Sequence, residues 1–291
     1  MVNKGIVLAG GSGTRLHPLT LTMCKQLLPV YDKPMIYYPL SALMLAGIKE
    51  ILIITTPKDQ SKFQDLLGNG KQFGISLSYA VQKEPKGIPQ AFEIAADFIG
   101  GESVCLVLGD NVFFGPTFSM TLKRVAHENE GATIFAYHVP DPERYGIVDF
   151  DGDRVQSIDE KPVRPRSNFA ITGIYFFDGT VTERAQQLSP SERGETEIVD
   201  LLQTYLDEDR LAAEKLRRGF AWLDTGTHDS LLQASNFVQT VVQLQDLQVA
   251  CLEEIAWRNG WISRAELICT AERFGNVAYG RYLKRLTKDS I

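Results

Sequence analysis

Lys4-Gly5-Ile6-Val7-Leu8-Ala9-Gly10-Gly11-Ser12-Gly13-Thr14-Arg15-Leu16 is the stretch on which the reading of the chain turns. Its first six residues form a short apolar run that fits a buried strand. The run ends in three glycines, a threonine and an arginine. Glycine lets a backbone take positive φ and approach an anion closely. Successive N–H groups in such a loop can line a nest for oxygen anions, and Arg15 adds a rigid cationic fork. A plain turn between strand and helix is the simpler account of two glycines, but three glycines with Thr14 and Arg15 at one strand end favour phosphate. Two familiar loops are excluded. A Walker A loop closes on Gly-Lys-Ser/Thr, whereas this one closes on Gly13-Thr14-Arg15. A dinucleotide fingerprint needs a third glycine where Leu16 stands and an acid after the second strand, which here ends in Thr55-Thr56-Pro57.

Outward from that loop, strand and helix patterns alternate. Residues 34–47 (PMIYYPLSALMLAG) read as a helix, with a proline suited to its first turn and a glycine to its end. Residues 51–56 (ILIITT) read as a second buried strand. Strands over 77–81, 104–108 and 132–139 and helices over 88–99 and 121–129 continue the series. Such alternation predicts an α/β fold with a Rossmann-like, mostly parallel sheet flanked by helices. The period then drops to two over 145–160 around Asp151-Gly152, a hairpin signal. A strand over 171–177, helices over 197–207 and 231–247, and short helical pieces over 253–286 follow. The expected organisation is one α/β domain over 1–240 and a helical C-terminal segment, 241–291, packed on it.

The 291 residues, 44% hydrophobic and 23% charged, suffice for a large core. A formal net charge of −6 speaks against general nucleic-acid binding but not against a local anion site. Cys24, Cys105, Cys251 and Cys269 form no CxxC pair, so a zinc site is not expected, and reduced thiols in the cytoplasm are. No stretch approaches membrane-spanning length, and the N-terminus shows no cleavable signal pattern. His17, His127, His138 and His228 share no metal or triad spacing.

Three further residues stand out before any comparison. Lys25, in Cys24-Lys25-Gln26-Leu27-Leu28-Pro29-Val30, sits in an apolar segment and needs an anionic partner if buried, which a phosphate of a bound nucleotide would supply. Asp110 follows the strand 104–108, at a carboxyl end where α/β folds bind ligands. Asp224, in Trp222-Leu223-Asp224-Thr225-Gly226-Thr227, reads as part of a turn leading into a helix. Each has an ordinary alternative: a solvated charge, a Gly-Asp-Asn turn, a helix-start residue. Together, beside a phosphate loop, they suit magnesium, which takes one or two carboxylates and completes its shell with phosphates and water.

The stretch 8–16, with Lys25-Gln26-Leu27-Leu28-Pro29 and Asp32-Lys33-Pro34-Met35, resembles the sugar-nucleotide pyrophosphorylases along nearly the whole chain. The likeness is greatest to members that join dTTP to glucose 1-phosphate. It implies their nucleotide-diphospho-sugar transferase fold and a catalytic set of Arg15, Lys25, Asp110, Lys161 and Asp224. Mg2+ would lie on Asp110 and Asp224. The nucleotide would meet Leu8, Gly10, Gly11, Gly13, Thr14, Arg15, Lys25, Gln26, Gln82, Pro85, Gly87, Ile88 and Asp110, with Gln82 and the Gly87 backbone reading the base. The sugar phosphate would meet Asn111, Tyr145, Gly146, Glu160, Lys161, Ile171 and Thr172. The family usually has alanine where this chain has Pro89. The segment from Arg193 to Asp200 partly matches a family stretch near the sugar but departs from it at Thr196, Val199 and Leu202, so no role is assigned to it. Read alone, Gln82 is an ordinary polar residue and Glu160-Lys161 an exposed ion pair.

The resemblance also implies a homotetramer and a second nucleotide-sugar site for end-product control. Its candidates are Phe114, Gly115, Arg218, Gly219, Ala250, Glu254, Ile255 and Arg258. The same chemistry with UTP or another sugar 1-phosphate is the nearest rival. A non-catalytic nucleotide-sugar sensor is disfavoured by retention of Arg15, Lys25, Asp110 and Asp224, and a nicotinamide oxidoreductase by the missing third glycine.

Overall fold

The computed structural model describes residues 1–11, 13–191 and 194–288; Ser12 of the glycine loop, Arg193 and the last three residues of the C-terminal segment lie outside them. The chain opens with β1 (Lys4–Ala9), two short strands β2 (Pro29–Val30) and β3 (Lys33–Pro34), helix α1 (Tyr37–Leu45) and β4 (Glu50–Thr55). Then come α2 (Gln60–Leu67), β5 (Ser76–Val81), α3 (Gln90–Ile94), α4 (Ala96–Ile99), β6 (Val104–Leu108), β7 (Asn111–Phe114), α5 (Phe118–Glu128) and β8 (Ala132–His138). The second half contains β9 (Gly146–Asp151), β10 (Arg154–Glu160), β11 (Phe169–Phe177), α6 (Val181–Gln186), α7 (Ile198–Leu206), β12 (Leu211–Leu216) and β13 (Ala221–Asp224). It closes with α8 (His228–Gln245), α9 (Leu252–Arg258), α10 (Arg264–Phe274) and α11 (Ala278–Leu286).

β5, β4, β1 and β6 lie side by side and parallel, as the βα alternation requires. The sheet is nonetheless mixed. β11 runs antiparallel to β6 on one side and to β8 on the other, and β12 pairs parallel with β8. The reversal follows from connectivity: β11 is entered from the β9–β10 hairpin, not from a helical crossover, so nothing forces it to run with β6.

Central strands are apolar on both faces because helices cover both. Val7, Ile53 and Val107 join the core beneath α1 and α5, whereas their neighbours Ile6, Leu52 and Leu106 join the opposite core with Phe92, Leu201 and Tyr205. Leu252, Ala256, Leu267 and Leu283 of the C-terminal helices share the core beneath α1 with Leu40, Leu43 and Met44.

Several boundaries differ from the expectation. The helix expected from 34 begins at Tyr37, because Lys33 and Pro34 pair with Pro29 and Val30. The helix expected from 231 begins at His228, because Thr227 and Ser230 form a capping box. The helix expected over 88–99 is broken at Ala95 into α3 and α4. β7, β12 and β13 were not anticipated. Asp224 is accordingly the last residue of a strand, not part of a turn.

Candidate active site

The site forms where the parallel strands end. β1 runs out at Ala9 into the glycine loop, and β6 runs out at Leu108 just before Asp110. β11 overshoots the end of β6, since Ile174 is opposite Val107, so Thr172 and Ile171 extend beyond β6 on the edge where Asp110 lies, while β11 stays paired with β8. A cavity of about 290 Å³ opens there, bordered by Gly10, Gly11, Gly13, Thr14, Arg15, Lys25, Gln26, Pro85 and Asp110.

β7 and β13 bring the two distant aspartates together. They pair antiparallel with Asp224 opposite Asn111, one residue from Asp110. The Thr225 hydroxyl and backbone N–H then donate to the Asp110 carbonyl at 2.8 and 3.2 Å. Asp110 is clamped at both carboxylate oxygens: Lys25 Nζ lies 2.5 Å from Oδ2, and Asn111 Nδ2 donates to Oδ1 at 2.9 Å. Asn111 in turn accepts from Trp222 Nε1 at 2.5 Å. The anionic partner that Lys25 requires is thus Asp110.

The two acids are driven apart in acidity. Burial by itself would raise the Asp110 pKa, but the Lys25 ammonium and the Asn111 amide outweigh it and hold it below the usual carboxylate range. Among the described residues Asp224 has no such clamp. Burial first, and then the negative charge of Asp110, raise its pKa, against the weaker pull of Lys25, Arg15 and Arg144. Two juxtaposed oxygen-donor acids, one of which discourages ionisation of the other, suit a hard divalent cation. Among the described residues no group of three or more His, Cys, Asp or Glu makes a self-contained metal cage. A cation here would therefore draw further oxygens from phosphates and water.

The remaining candidates fall into two groups around this centre. Gln26 and Gln82 are buried rather than exposed. Gln82 Oε1 packs against Gly10 so closely that a Cβ at position 10 would lie 2.4 Å from it. Gly87, with φ +104°, bridges to Thr196, whose N–H donates to the Lys86 carbonyl at 2.9 Å. Leu8 and Ile88 are partly buried in the core beneath the site. On the other side Gly146 faces Glu160, Val199 and Ile171. Lys161 N–H donates to the Tyr145 carbonyl at 3.1 Å, and the Tyr145 ring packs on Trp222 at 5.2 Å. Thr172 is fully buried, and its hydroxyl finds no hydrogen-bond partner among the described residues. Lys161 Nζ lies 3.0 Å from Glu160 Oε1 on a half-exposed side chain.

Sequence reasoning missed Glu195 and Gly226, which border the cavity, and Thr196, on which the Gly87 loop rests. The departure of 193–200 from the family pattern concealed the last; only the fold brings that segment beside the 83–87 loop. Phe114, Gly115, Ala250, Glu254, Ile255 and Arg258 line one groove of about 610 Å³ between β7 and the start of α9. Arg218 is separate from it, lining an adjoining hollow with Pro116 and Thr117, and Gly219 lies against Pro116. Cys24, Cys105 and Cys251 are buried free thiols, and Cys269 is exposed.

Residues 4–241 match the family model for nucleotidyl transferase, and the chain belongs to that family. It is 59% identical, over 98% of its length and 99% of the relative's, to the glucose-1-phosphate thymidylyltransferase of Neisseria meningitidis. The Mycolicibacterium smegmatis enzyme of the same name is 54% identical over 97% of this chain and 98% of its own. A Bacillus anthracis structure assigned to that activity superposes with a TM-score of 0.75 at 38% identity, covering 80% of this chain and 94% of the other. UDP-glucose pyrophosphorylase complexed with UDP-glucose superposes with a TM-score of 0.72 at 25% identity, covering 82% and 99%. Within the nucleotidyl transferases, this chain is a member of the glucose-1-phosphate thymidylyltransferases.

Proposed function

We propose that this chain transfers the thymidylyl group of dTTP to glucose 1-phosphate and releases pyrophosphate. The observation that carries the chemistry is the pairing of Asp110 with Lys25 in the wall of a glycine-lined cavity, with Asp224 brought to the neighbouring residue by the pairing of β13 with β7. A phosphate oxygen of glucose 1-phosphate attacks the α-phosphorus of dTTP, and the bond from that phosphorus to the oxygen bridging it to the β-phosphorus breaks. The nucleophile is already an anion, so no general base is needed. What remains is positioning and charge stabilisation. Gly10, Gly11, Gly13 and Thr14 cradle phosphate oxygens, and Arg15 holds the departing pyrophosphate. Lys25 meets the α-phosphate and Lys161 the sugar phosphate. Gln82 and Gly87 face the base, and Gln26 the nucleoside. Glu160, Asn111 and the unpartnered Thr172 hydroxyl take sugar oxygens, between walls formed by Tyr145, Gly146 and Ile171.

Asp110 and Asp224 would hold Mg2+, and the β7–β13 pairing that brings these two oxygen donors to neighbouring positions supports that fit. When bound, it neutralises charge on the phosphates and lowers the cost of bringing two anions together.

Residues 1–240 carry this chemistry. The helical segment 241–291 contributes one wall of the groove, with Ala250, Glu254, Ile255 and Arg258 facing Phe114 and Gly115, and this groove serves as a regulatory nucleotide-sugar site at a subunit contact of a homotetramer. Arg218 and Gly219 reach it from the adjoining hollow. The product feeds dTDP-sugar synthesis such as that of dTDP-rhamnose in the cytoplasm, and among the described residues no helix is long and apolar enough to cross a membrane.

The test is pyrophosphate release from glucose 1-phosphate with dTTP, UTP, ATP, GTP and CTP, with and without magnesium. Preference for dTTP and dependence on the metal are expected. Equal use of all five nucleotides, or full activity in chelator, overturns the reading.

A further inference from the structure

The loop that precedes α3 contains a chain of hydrogen bonds whose direction can be deduced. The backbone N–H of Lys86 points at the Gln90 side-chain amide, 3.1 Å from Oε1. A backbone N–H can only donate, so the Gln90 atom facing it must be the oxygen. The same Oε1 lies 2.7 Å from an atom of the Gln82 amide, which must therefore be Nε2. One unambiguous donor thus settles the flip of two side-chain amides in sequence. The anchor is itself fixed, since the Lys86 carbonyl accepts from the Thr196 N–H at 2.9 Å and the Thr196 hydroxyl at 3.0 Å. Gln90 is the first residue of α3, directly after Pro89.

The far end of the Gln82 amide is placed just as tightly. Its Oε1 sits over Gly10 of the glycine loop, and among the described residues it accepts no hydrogen bond. Gln82 therefore presents one arrangement only, a free acceptor with the second N–H of Nε2 beside it. Thymine and uracil offer a ring N–H next to a carbonyl, and cytosine offers a ring acceptor next to an amino group. An amide free to flip suits either pattern, whereas one locked in a single flip suits one and leaves unpaired donors and acceptors against the other.

We propose that Gln90 is a positioning residue for base selection: its oxygen, oriented by the Lys86 N–H, locks the Gln82 amide so that the site accepts a 4-oxo pyrimidine and rejects a 4-amino one. This rests on the reading that Gln82 faces the base. Gln90 touches no substrate and acts through Gln82 alone.

The experiment measures kcat/KM for dTTP and for dCTP with glucose 1-phosphate and magnesium. The variants are Gln90→Met, Gln90→Asn, Gln90→Glu, Gln82→Ala and Gln82→Ala with Gln90→Met. Gln90→Met keeps length but removes the acceptor, and Gln90→Asn withdraws it by one methylene. In both, the preference for dTTP over dCTP should fall roughly tenfold or more, the cost of one unsatisfied polar group. Gln90→Glu still accepts from both donors and should keep the preference. Gln90→Met should add nothing in the Gln82→Ala background, as expected of residues acting through one another. An equal loss for both nucleotides, or an unchanged preference in Gln90→Met and Gln90→Asn, overturns the relay. If Gln82→Ala alone leaves the preference intact, Gln82 does not read the base and the underlying reading falls too. A Gln82→Ala effect without a Gln90 effect overturns the relay only.

Discussion

Replacing Gly87 with alanine probes the junction between the 83–87 loop and the segment that follows residue 193. Two separate costs arise from the geometry. Gly87 has φ +104°, a backbone state that costs a side-chain-bearing residue about 1–3 kcal/mol. The new Cβ would also lie 2.0 Å from the Thr196 carbonyl oxygen and 2.9 Å from its nitrogen, which are backbone atoms that cannot rotate away. The bridge must therefore part, giving up the two hydrogen bonds from Thr196 to the Lys86 carbonyl, each worth about 1 kcal/mol. Together these come to about 3–5 kcal/mol. The loss is local, because the loop can lift without the sheet unfolding. The melting temperature should fall by only a few degrees, while kcat/KM for dTTP falls about a hundredfold or more. Thr196→Ala, which gives up only the hydroxyl contact, should cost less than tenfold. Steady-state kinetics with a thermal melt on each protein decide it. Wild-type kcat/KM in Gly87→Ala, or a larger effect from Thr196→Ala, would refute the reasoning.

Arg15→Ala and Lys25→Ala should each lower kcat by about 10²- to 10³-fold, the scale for removing a preorganised charge from a transition state; near-wild-type turnover in both removes them from the mechanism. Asp110→Asn and Asp224→Asn should abolish the magnesium-induced tightening of dTTP binding measured by calorimetry, and chelator should stop turnover until magnesium is restored. Buried Glu253 accepts from Tyr279 Oη at 2.5 Å, and its burial raises its pKa above the ordinary value. A carboxyl raised by folding contributes stability at pH below its unfolded pKa and loses it as pH rises through the folded value. Glu253→Gln should therefore melt a few degrees higher than wild type at pH 8, with the gap closing at about pH 4; a lower melting point for the variant at pH 8 would count against this. Sedimentation should show a tetramer, and dTDP-rhamnose inhibition should weaken in Arg258→Ala with basal turnover unchanged.

Much of the parallel half of the sheet was legible in the chain. The apolar runs 4–9, 51–56 and 104–108 are covered on both faces, so burial writes them as unbroken hydrophobic segments, and each strand lies within a residue of its expected bounds. The hairpin was legible around Asp151-Gly152, because a two-residue turn imposes its own residue types, although the turn itself is one residue further on, at Gly152 and Asp153, with Asp151 closing β9. The glycine loop was recognisable for a similar reason: positive φ at Gly11 and Gly13 is a local demand. β7, β12 and β13 were not legible: β7 and β13 are only four residues long, and β12 is buried only at its two ends, with no alternation to declare it.

The chain by itself determined which side chains would be available: a glycine cradle, Arg15, Lys25, two acids and a polar pair at Gln26 and Gln82. Local requirements of backbone freedom and burial leave their mark residue by residue. Only the tertiary structure decided that Asp110 pairs with Lys25 across 85 positions, that Asp224 ends a strand beside Asn111, and that Thr196 underlies Gly87. Those relations depend on strands meeting at long separation and on β11 entering the sheet reversed. No window of neighbouring residues contains that information, because it arises from how the elements pack.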